Sequence, residues 1–445
     1  MISGLPRGRP GSRLRPAMNR SMLCRAPFAV GVAVLLAALP AAAQIDAARA
    51  ARYFAEADVL CRAEGGRLWK VSLCGPMVFV DAATRSVAAN QPAPAARLPD
   101  NVPIANTVIE WGGVRWSMIV WQVVPEDRRR RARLMLHELW HRIQPEIGLA
   151  AREGRNDHLD TAEGRYWLQL EWRALTAALS STGTERAAAL RDALGFRLIR
   201  HKLALTAAEG ERSLEMNEGL AAYTGIAASS TTPAEAATAA LDALAQGANQ
   251  ESFVRSFAYA SGPAYGVLLD IYSPGWTRLL RPGDDLGHVL MAATAVQPDD
   301  ARTTFDRADR YDGSRLMAIE EVRAGRLQER VAQLRRLLVE GPVLVLPARE
   351  LQFSFDHRGM AALPGAGTVY AALRATAAWG ILEVSNGAVL VTAEEDRFVV
   401  PVPAGAEGAP LAGPGWTLKL EPGWDVQPGS RRGDWVVAHK AAGQP

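Results

Sequence analysis

The sequence predicts an α+β protein in which a mixed region of strands and helices is followed by an all-β region. Three observations lead to this prediction. Short apolar segments, among them a hairpin with a Gly-Gly turn, occur between residues 68 and 124. Segments rich in alanine and leucine, which favour helix, continue to about residue 339. After Gly341 the chain changes to short apolar runs separated by glycine and proline, which is typical of β structure.

The first 43 residues have the pattern of a secretory signal peptide. Arginines precede an apolar run that begins at Phe28, and the small residues Ala41 to Ala43 provide a cleavage site before Gln44. The apolar run is too short for a comfortable membrane-spanning helix. We therefore expect export, cleavage of residues 1–43, and a periplasmic or secreted protein with no stable membrane insertion. An uncleaved N-terminal anchor is the alternative.

The charge balance argues against a nucleic-acid partner. The chain has 445 residues, 49% hydrophobic and 22% charged, which suits a soluble globular protein with two or three domains. Its formal net charge is +3, but six arginines and no acid lie before Gln44, so the remainder carries −3. A near-neutral body lacks the basic surface that binds phosphates. We expect the run from Arg128 to Arg131 to be the solvated start of a helix.

The first part of the mature chain is predicted to contain a helix and several strands. Apolar residues at helical spacing indicate a helix over residues 46–63, which a pair of glycines ends. Residues 68–71 and 76–80 resemble strands, and residues 89–103 form a loop rich in proline, alanine and asparagine. The hairpin spans residues 107–124, and its two glycines can adopt the left-handed dihedrals of a tight turn.

Most of the remaining central region is predicted to be helical. Pro125, with two acidic residues behind it, is expected at the first position of a helix that runs to Gln144 and stops before Pro145. The further predicted helices are residues 161–180, 184–208, 211–228, 233–247, 250–273 and 315–339.

Residues 341–445 are predicted to form a separate C-terminal β domain, which leaves residues 44–340 as the central domain. The predicted strands are residues 342–347, 351–355, 380–384, 388–392, 397–402, 417–420 and 434–438.

Two cysteines remain after the predicted cleavage, Cys61 and Cys74. In an exported protein such a pair can form a disulfide, and this is the pairing we expect. The alternative is two buried free thiols.

The segment HELWH, residues 137–141, is a candidate metal site. His137 and His141 are one helical turn apart, so both imidazoles leave the same face and can reach one zinc ion. Glu138 is placed to take a proton from a water at that ion. The alternative is a pair of surface histidines on an amphipathic helix.

A catalytic zinc site usually needs a third protein ligand. No histidine follows HELWH at short spacing, so a carboxylate on a later helix is expected. Two residues compete for this role, Glu171 and Glu218. Glu171 could instead pair with Arg173 or Arg165 on its own helix. The nearby aromatic residues are expected in the core, namely Tyr166, Trp167 and Trp172.

The segment NEGLAAY, residues 217–223, together with HELWH resembles the gluzincins, the metallopeptidases similar to thermolysin and aminopeptidase N. The resemblance implies a zincin-like catalytic domain with Glu218 as the third zinc ligand. It also implies that Gly219, Ala221 and Ala222 allow the two site helices to pack closely. The segment Tyr259-Ala-Ser-Gly262 is similar to the aminopeptidase Tyr-x-x-Gly motif, whose tyrosine binds the developing oxyanion.

The sequence also departs from the gluzincin pattern. His141 and Glu218 are much farther apart than in those families, which predicts a helical insertion at about residues 145–210. The aminopeptidase segment Gly-x-Met-Glu-Asn is absent from the sequence, which puts exopeptidase activity in doubt. Ala222 stands where thermolysin-like enzymes have an aspartate that orients a ligand histidine. Glu171 or Asp160 could take over this orienting role. The resemblance covers residues 107–270 and does not include the C-terminal β region.

These observations predict an exported zinc metallopeptidase that hydrolyses peptide bonds in a peptide or protein substrate. The rival hypothesis is a non-catalytic zinc-containing envelope protein that binds peptides or a partner protein. The presence of Glu138 between the two histidines favours catalysis, because a purely structural site does not need it.

Overall fold

The hairpin predicted from the Gly-Gly turn is part of a four-stranded sheet in the computed structural model. The structure describes residues 45–149, 154, 156–349, 351–355, 360–403 and 408–440. The predicted signal peptide lies outside these residues. The strands of the first sheet are β1 (Met77–Val80), β2 (Val87–Ala89), β3 (Thr107–Trp111) and β4 (Val114–Val120). Their order is β2-β1-β4-β3, with β1 parallel to β4, so β3 is an edge strand.

Both glycines of the hairpin turn have positive φ angles, 61° at Gly112 and 71° at Gly113, as a tight two-residue turn requires. The second predicted strand ends early, because residues 121–123 form a 3₁₀ turn. The predicted strand at residues 68–71 is wrong. Lys70 has a positive φ of 61°, and Leu68 N–H donates to the side chain of Glu64. These residues therefore form a turn, and its apolar side chains Leu68 and Trp69 are buried in the core.

Eleven helices occur in the described part of the chain. They are α1 (Ala47–Glu64), α2 (Arg128–Ile143), α3 (Ala162–Ser180), α4 (Gly183–Arg200), α5 (Ala207–Leu214), α6 (Leu220–Ser229), α7 (Pro233–Gly247), α8 (Phe257–Tyr272), α9 (Leu286–Thr294), α10 (Ala301–Asp306) and α11 (Gly313–Arg335). Helices α3 and α4 lie between His141 and Glu218 in the chain and pack side by side. The prediction missed α9 and α10, both of which are short.

Helix α2 begins later than predicted. Asp127 is its N-cap, with a carboxylate that accepts a hydrogen bond from Arg130 N–H at 2.8 Å, so Pro125 lies outside the helix. Arg131, in the predicted solvated run, is buried and pairs with Glu56 of α1 at 2.7 Å. The start of α2 is therefore fixed to α1.

The predicted helix over residues 211–228 is interrupted by a π-helical turn, Glu215–Gly219, between α5 and α6. A π turn inserts one extra residue into a helix and is frequent at functional sites. Here it carries Glu218, the predicted third ligand, and changes the direction of the side chains that follow α5.

Every element described after Gly341 is a strand, and these strands form two sheets. The seven predicted strands correspond to β5 (Val343–Pro347), β6 (Gln352–Phe355), β10 (Gly380–Val384), β11 (Val389–Thr392), β12 (Arg397–Pro401), β14 (Trp416–Leu420) and β16 (Trp435–His439). The other strands were not predicted and are β7 (Ala361–Leu363), β8 (Gly367–Tyr370), β9 (Leu373–Ala377), β13 (Ala412–Gly413) and β15 (Trp424–Pro428). The sheet orders are β13-β14-β10-β9-β6 and β15-β16-β5-β12-β11-β8-β7.

The protein is therefore a mixed α+β structure, as the sequence predicts. The largest apolar cluster lies among the helices, and Trp167, Trp172 and Tyr166 are buried in it as expected. A separate cluster that includes Trp379 and Trp416 fills the C-terminal β region. Cys61 and Cys74 form the predicted disulfide. None of the helices described is long and apolar enough to cross a membrane.

Candidate metal centre

Three predicted ligands meet at one point between α2 and the π turn. The Nε2 atoms of His137 and His141 are 3.1 Å apart. The Oε2 atom of Glu218 lies 3.3 Å from His137 Nε2 and 3.4 Å from His141 Nε2. The histidines come together because they are one turn apart on α2, whereas Glu218 comes from a distant part of the chain.

The triangle of donor atoms matches the donor spacing of a zinc site. Two ligands at about 2.0–2.1 Å from a tetrahedral zinc ion are separated by about 3.3–3.4 Å. The observed distances of 3.1, 3.3 and 3.4 Å lie close to that value. Two imidazoles and one carboxylate are also the donor set of many catalytic zinc sites. The chain's own residues therefore fit zinc.

A glutamine orients one of the histidines. The Nδ1–H group of His141 donates to Gln144 Oε1 at 3.1 Å, so Nε2 is the nitrogen that faces His137 and Glu218. The Gln144 side chain in turn donates to Asn217 Oδ1 at 3.1 Å. Asn217 precedes Glu218, so this chain of hydrogen bonds links the two ligand-bearing elements. Sequence reasoning missed Gln144, although its position three residues after His141 on the helix was a usable signal.

Glu138 is buried beside the ligands, with 4% of its surface exposed. Its Oε2 atom has no hydrogen-bond partner among the described residues. Burial raises the pKa of the Glu138 carboxyl, the two histidines partly oppose this rise, and the Glu218 carboxylate adds to it. The backbone carbonyl of Glu138 accepts a hydrogen bond from Ser117 on β4 at 2.9 Å, which fixes α2 against the sheet.

The two histidines keep Glu218 ionised. Burial acts to raise the pKa of Glu218, but hydrogen bonds from His137 and His141 hold that pKa well below its usual range. In the same way, burial opposes protonation of His141, and Glu218 more than offsets this, so the pKa of His141 is raised. An ionised carboxylate at this point is what a cation needs.

Tyr259 reaches the site from α8. Its hydroxyl donates to Glu218 Oε2 at 2.6 Å, and its ring stacks on His137 with centroids 5.6 Å apart. Burial and the Glu218 charge raise the pKa of Tyr259 far above its ordinary value, so the hydroxyl keeps its proton. Arg255, which the sequence reasoning missed, lies 3.7 Å from Glu218 Oε1.

Two glycines allow α8 to approach the π turn. A Cβ atom on Gly262 would lie 2.3 Å from the Cα of Gly219, so Gly262 has no room for a side chain, whereas a Cβ on Gly219 would meet the Cα of Gly262 at a tight 3.2 Å. Gly219 thus contacts α8, whereas the resemblance implied that it packs the two ligand-bearing helices together. Gly225 has that role, since a Cβ there would lie 2.5 Å from the backbone oxygen of Arg133 on α2.

Glu171, the competing third ligand, lies in a different cluster. Its carboxylate accepts from Tyr265 at 2.7 Å and also pairs with Arg197 and Arg200, and all four side chains are buried. It does not pair with Arg173 or Arg165. Arg197 also pairs with Glu215 of the π turn, at 2.9 Å. Glu171 therefore helps to fix the π turn and does not reach the histidines.

Asp160 is likewise occupied elsewhere. Its carboxylate accepts from Ser252 at 2.6 Å and from Phe253 N–H at 2.8 Å. Thr161 caps α3, and the neighbouring His158 pairs with Glu211 at 2.7 Å. The orienting role that Glu171 or Asp160 was expected to fill is taken by Gln144.

The candidate site opens into a cleft of about 910 Å³. Its lining comes from α2, α6, α7 and α8 and from Thr107 and Val108 at the start of the edge strand β3. The cleft therefore leads from solvent to the three ligand atoms and Glu138.

The chain matches no family model, and searches of curated proteins and of solved structures also return no match. The functional argument therefore rests on the residues of the site.

Proposed function

We propose that this protein is an exported zinc metallopeptidase of the gluzincin kind, which hydrolyses peptide bonds. The observation that carries the proposal is the triangle formed by His137 Nε2, His141 Nε2 and Glu218 Oε2, with sides of 3.1, 3.3 and 3.4 Å, beside the buried carboxylate of Glu138. A structural zinc site would not need a free carboxylate at its edge.

The ligands and the catalytic groups have separate roles. His137, His141 and Glu218 hold the zinc ion, which when bound polarises the scissile carbonyl and lowers the pKa of a water. Glu138 accepts a proton from the attacking water and then donates it to the leaving amine. Its Oε2 atom has no hydrogen-bond partner among the described residues, so it is free to accept this proton.

Tyr259 is proposed to donate a hydrogen bond to the developing oxyanion. Its hydroxyl is protonated and is held at the ligand triangle by Glu218, 2.6 Å away. The hydroxyl must exchange Glu218 for the substrate oxygen during the reaction. Loss of a single oxyanion donor typically lowers kcat by about 10²–10³, so the Tyr259→Phe variant should keep zinc and lose activity to that extent.

An extended peptide is the substrate shape that the cleft favours. Strand β3 is at the edge of its sheet and borders the cleft. The unpaired backbone groups of an edge strand can bind an extended chain by adding it to the sheet. The location outside the cytoplasm is supported by the signal-like N-terminal sequence and by the Cys61–Cys74 disulfide.

The test is zinc-dependent hydrolysis by the purified mature chain. We expect one zinc ion per chain, cleavage of an unfolded protein substrate, loss of cleavage on chelation and recovery on addition of zinc. His141→Ala should lose both zinc and activity. A chain that binds no stoichiometric metal contradicts the proposal. A zinc-loaded chain that binds peptides and cleaves none supports the rival, a binding protein.

A further inference from the structure

Two arginines continue the row of site residues along α2 toward its N-terminus. Arg133 is one helical turn before His137, and Arg130 is about one turn before Arg133. Residues spaced in this way lie on one face of a helix. Both arginines line the cleft that contains Glu138 and Glu218. The cleft therefore has a cationic section directly beside the proposed zinc ligands.

These two arginines differ from Arg129 and Arg131 on the same helix. Arg129 pairs with Glu235 at 3.3 Å, and Arg131 pairs with Glu56 at 2.7 Å. In the described part of the chain, no acidic side chain lies within ion-pair distance of Arg130 or Arg133.

Arg133 also carries an unused hydrogen-bond donor. Its Nε–H group is buried, and no acceptor for it is present among the described residues. Asp242 of α7 and Asp127 attract the guanidinium electrostatically, but neither forms an ion pair with it. Buried donors are almost always satisfied in folded proteins. A donor at the wall of a cleft without a partner is therefore available to a ligand.

The charge of the whole cleft supports an anionic ligand. Its lining contains four arginines, Arg115, Arg130, Arg133 and Arg255. The only acidic residues of that lining are Glu138 and Glu218, both of which belong to the proposed reaction. A cleft with an excess of one charge concentrates ligands of the opposite charge.

The cleft does not end at the two arginines. A second groove of about 440 Å³ lies beyond them and shares Arg130 and Arg133 in its lining. It is otherwise lined by the start of α2, the end of α6 and α7, and its acidic residues are Asp127, Glu235 and Asp242. The excess of positive charge therefore belongs to the section of the cleft that contains the proposed zinc ligands. A bound peptide can thus pass the arginines and continue along the surface.

We propose that Arg133, assisted by Arg130, binds a carboxylate of the substrate. The enzyme is then selective for peptides that carry a carboxylate near the scissile bond, either on an acidic side chain or at a free C-terminus. This inference rests on the proposed peptidase function, whose site it extends. Arginine suits the task because its planar guanidinium binds a carboxylate through two parallel hydrogen bonds.

The experiment uses two sets of matched peptides with the zinc-loaded full mature chain. In the first set, amidated peptides differ only in one residue, Glu, Gln or Lys, at each position around the cleavage site. In the second set, a neutral peptide carries either a free or an amidated C-terminus. The first set reports on an acidic side chain and the second on the terminal carboxylate.

We expect the wild type to favour the carboxylate-bearing member of at least one set by about tenfold or more in kcat/KM, as for hydrogen bonds to a charged group. Arg133→Gln should remove most of this preference, so that the ratio of kcat/KM between the Glu and Gln peptides falls toward one. Arg133→Glu should transfer the preference to the Lys peptide. Arg128→Gln is the matched control, since Arg128 is on the same helix but outside both grooves. Zinc content and circular dichroism establish that each variant is folded. Arg130→Gln, on the first turn of α2, is a second variant that tests the same preference for a carboxylate.

Binding separates failure of the inference from failure of the function. The Glu138→Gln chain, loaded with zinc, is titrated against fluorescent versions of the same peptides with and without Arg133→Gln. Equal cleavage and equal binding of the Glu, Gln and Lys peptides, with no effect of the C-terminus, would overturn the inference and leave the peptidase intact. Selective binding of carboxylates without cleavage by the wild type would support the arginine site and contradict the peptidase. A preference that persists in Arg133→Gln would also overturn the inference.

Discussion

Glu218 Oε2 lies 3.3 Å from His137 Nε2, although two long helices separate these residues in the chain. The contact depends on the π turn Glu215–Gly219, whose other carboxylate, Glu215, pairs with Arg197 in the protein interior. One irregular turn therefore presents one carboxylate to a buried arginine and the other to the histidines. The two glutamates of this turn, Glu215 and Glu218, therefore have different roles, and Glu171 belongs to the cluster around Arg197 and not to the histidines.

Replacement of Glu218 and of Glu171 should give opposite results. Glu218→Ala removes a proposed zinc ligand, while the fold should persist. Loss of a residue that only hydrogen-bonds a metal ligand typically lowers metal affinity by about 10–100-fold, and loss of the ligand itself should lower it further. Glu171→Ala leaves Arg197 and Arg200 buried without that acid and should lower the free energy of unfolding by about 3–5 kcal/mol. The Glu171→Ala variant should still bind zinc at temperatures below its unfolding temperature. Zinc titration and thermal unfolding of both variants test this, and the reverse ranking would place the site on the wrong helix.

Gln144 should matter for zinc affinity without being a ligand. Gln144→Ala removes the acceptor for His141 Nδ1–H, so the affinity for zinc should fall about 10–100-fold. Gln246→Ala is the matched control, because Gln246 also lines the cleft but belongs to α7. Competition with a chromophoric chelator measures both affinities. Equal affinities of the two variants would show that Gln144 does not orient the histidine.

The buried acid Glu211 should make the protein sensitive to acid. Burial acts to raise the pKa of Glu211, but Arg200, His158 and His201 hold it well below its usual range. A carboxyl whose pKa is lower in the folded protein than in the unfolded chain stabilises the fold at pH values above its unfolded-state pKa, about 4.3. This stabilisation is lost as the pH falls toward the folded-state pKa. Glu211→Gln should therefore lower the unfolding temperature by more at pH 5 than at pH 3. A constant difference across this range would contradict the assignment.

The disulfide should contribute to stability but not to the reaction. Cys61 and Cys74 are 13 residues apart, for which the chain-entropy model gives about 3 kcal/mol. The Cys61→Ala/Cys74→Ala double variant should unfold at a lower temperature and keep its zinc. Thiol titration of the unfolded, unreduced mature chain should find no free thiol. Two free thiols would exclude the disulfide in solution.

Much of the helical framework and the ligand pair could be predicted from the sequence, because both depend on local spacing. The predicted bounds of α7 match the structure, and His137 and His141 are adjacent because any helix brings such residues together. By contrast, the prediction of a strand at residues 68–71 was wrong, because these residues form a turn whose apolar side chains are buried. Burial there is decided by tertiary packing, which a local pattern does not report.

The parts of the site that the sequence did not predict depend on contacts between distant segments. Neither the link from Gln144 to Asn217 nor the pairing of Glu171 with Arg197 and Arg200 follows from spacing along one helix. The short strands β7, β8, β9, β13 and β15 were missed for a related reason, since their pairing partners define them more than their own residues do.

The central claim is that Glu138 works as a base beside a zinc ion, and one measurement tests it most directly. Glu138→Gln preserves the size of the side chain and touches no ligand, so zinc content and unfolding temperature should match the wild type. Hydrolysis of an unfolded protein substrate should fall by about 10²–10⁴, as is typical when acid–base catalysis is lost. A zinc-loaded Glu138→Gln chain that hydrolyses the substrate at the wild-type rate would contradict the account.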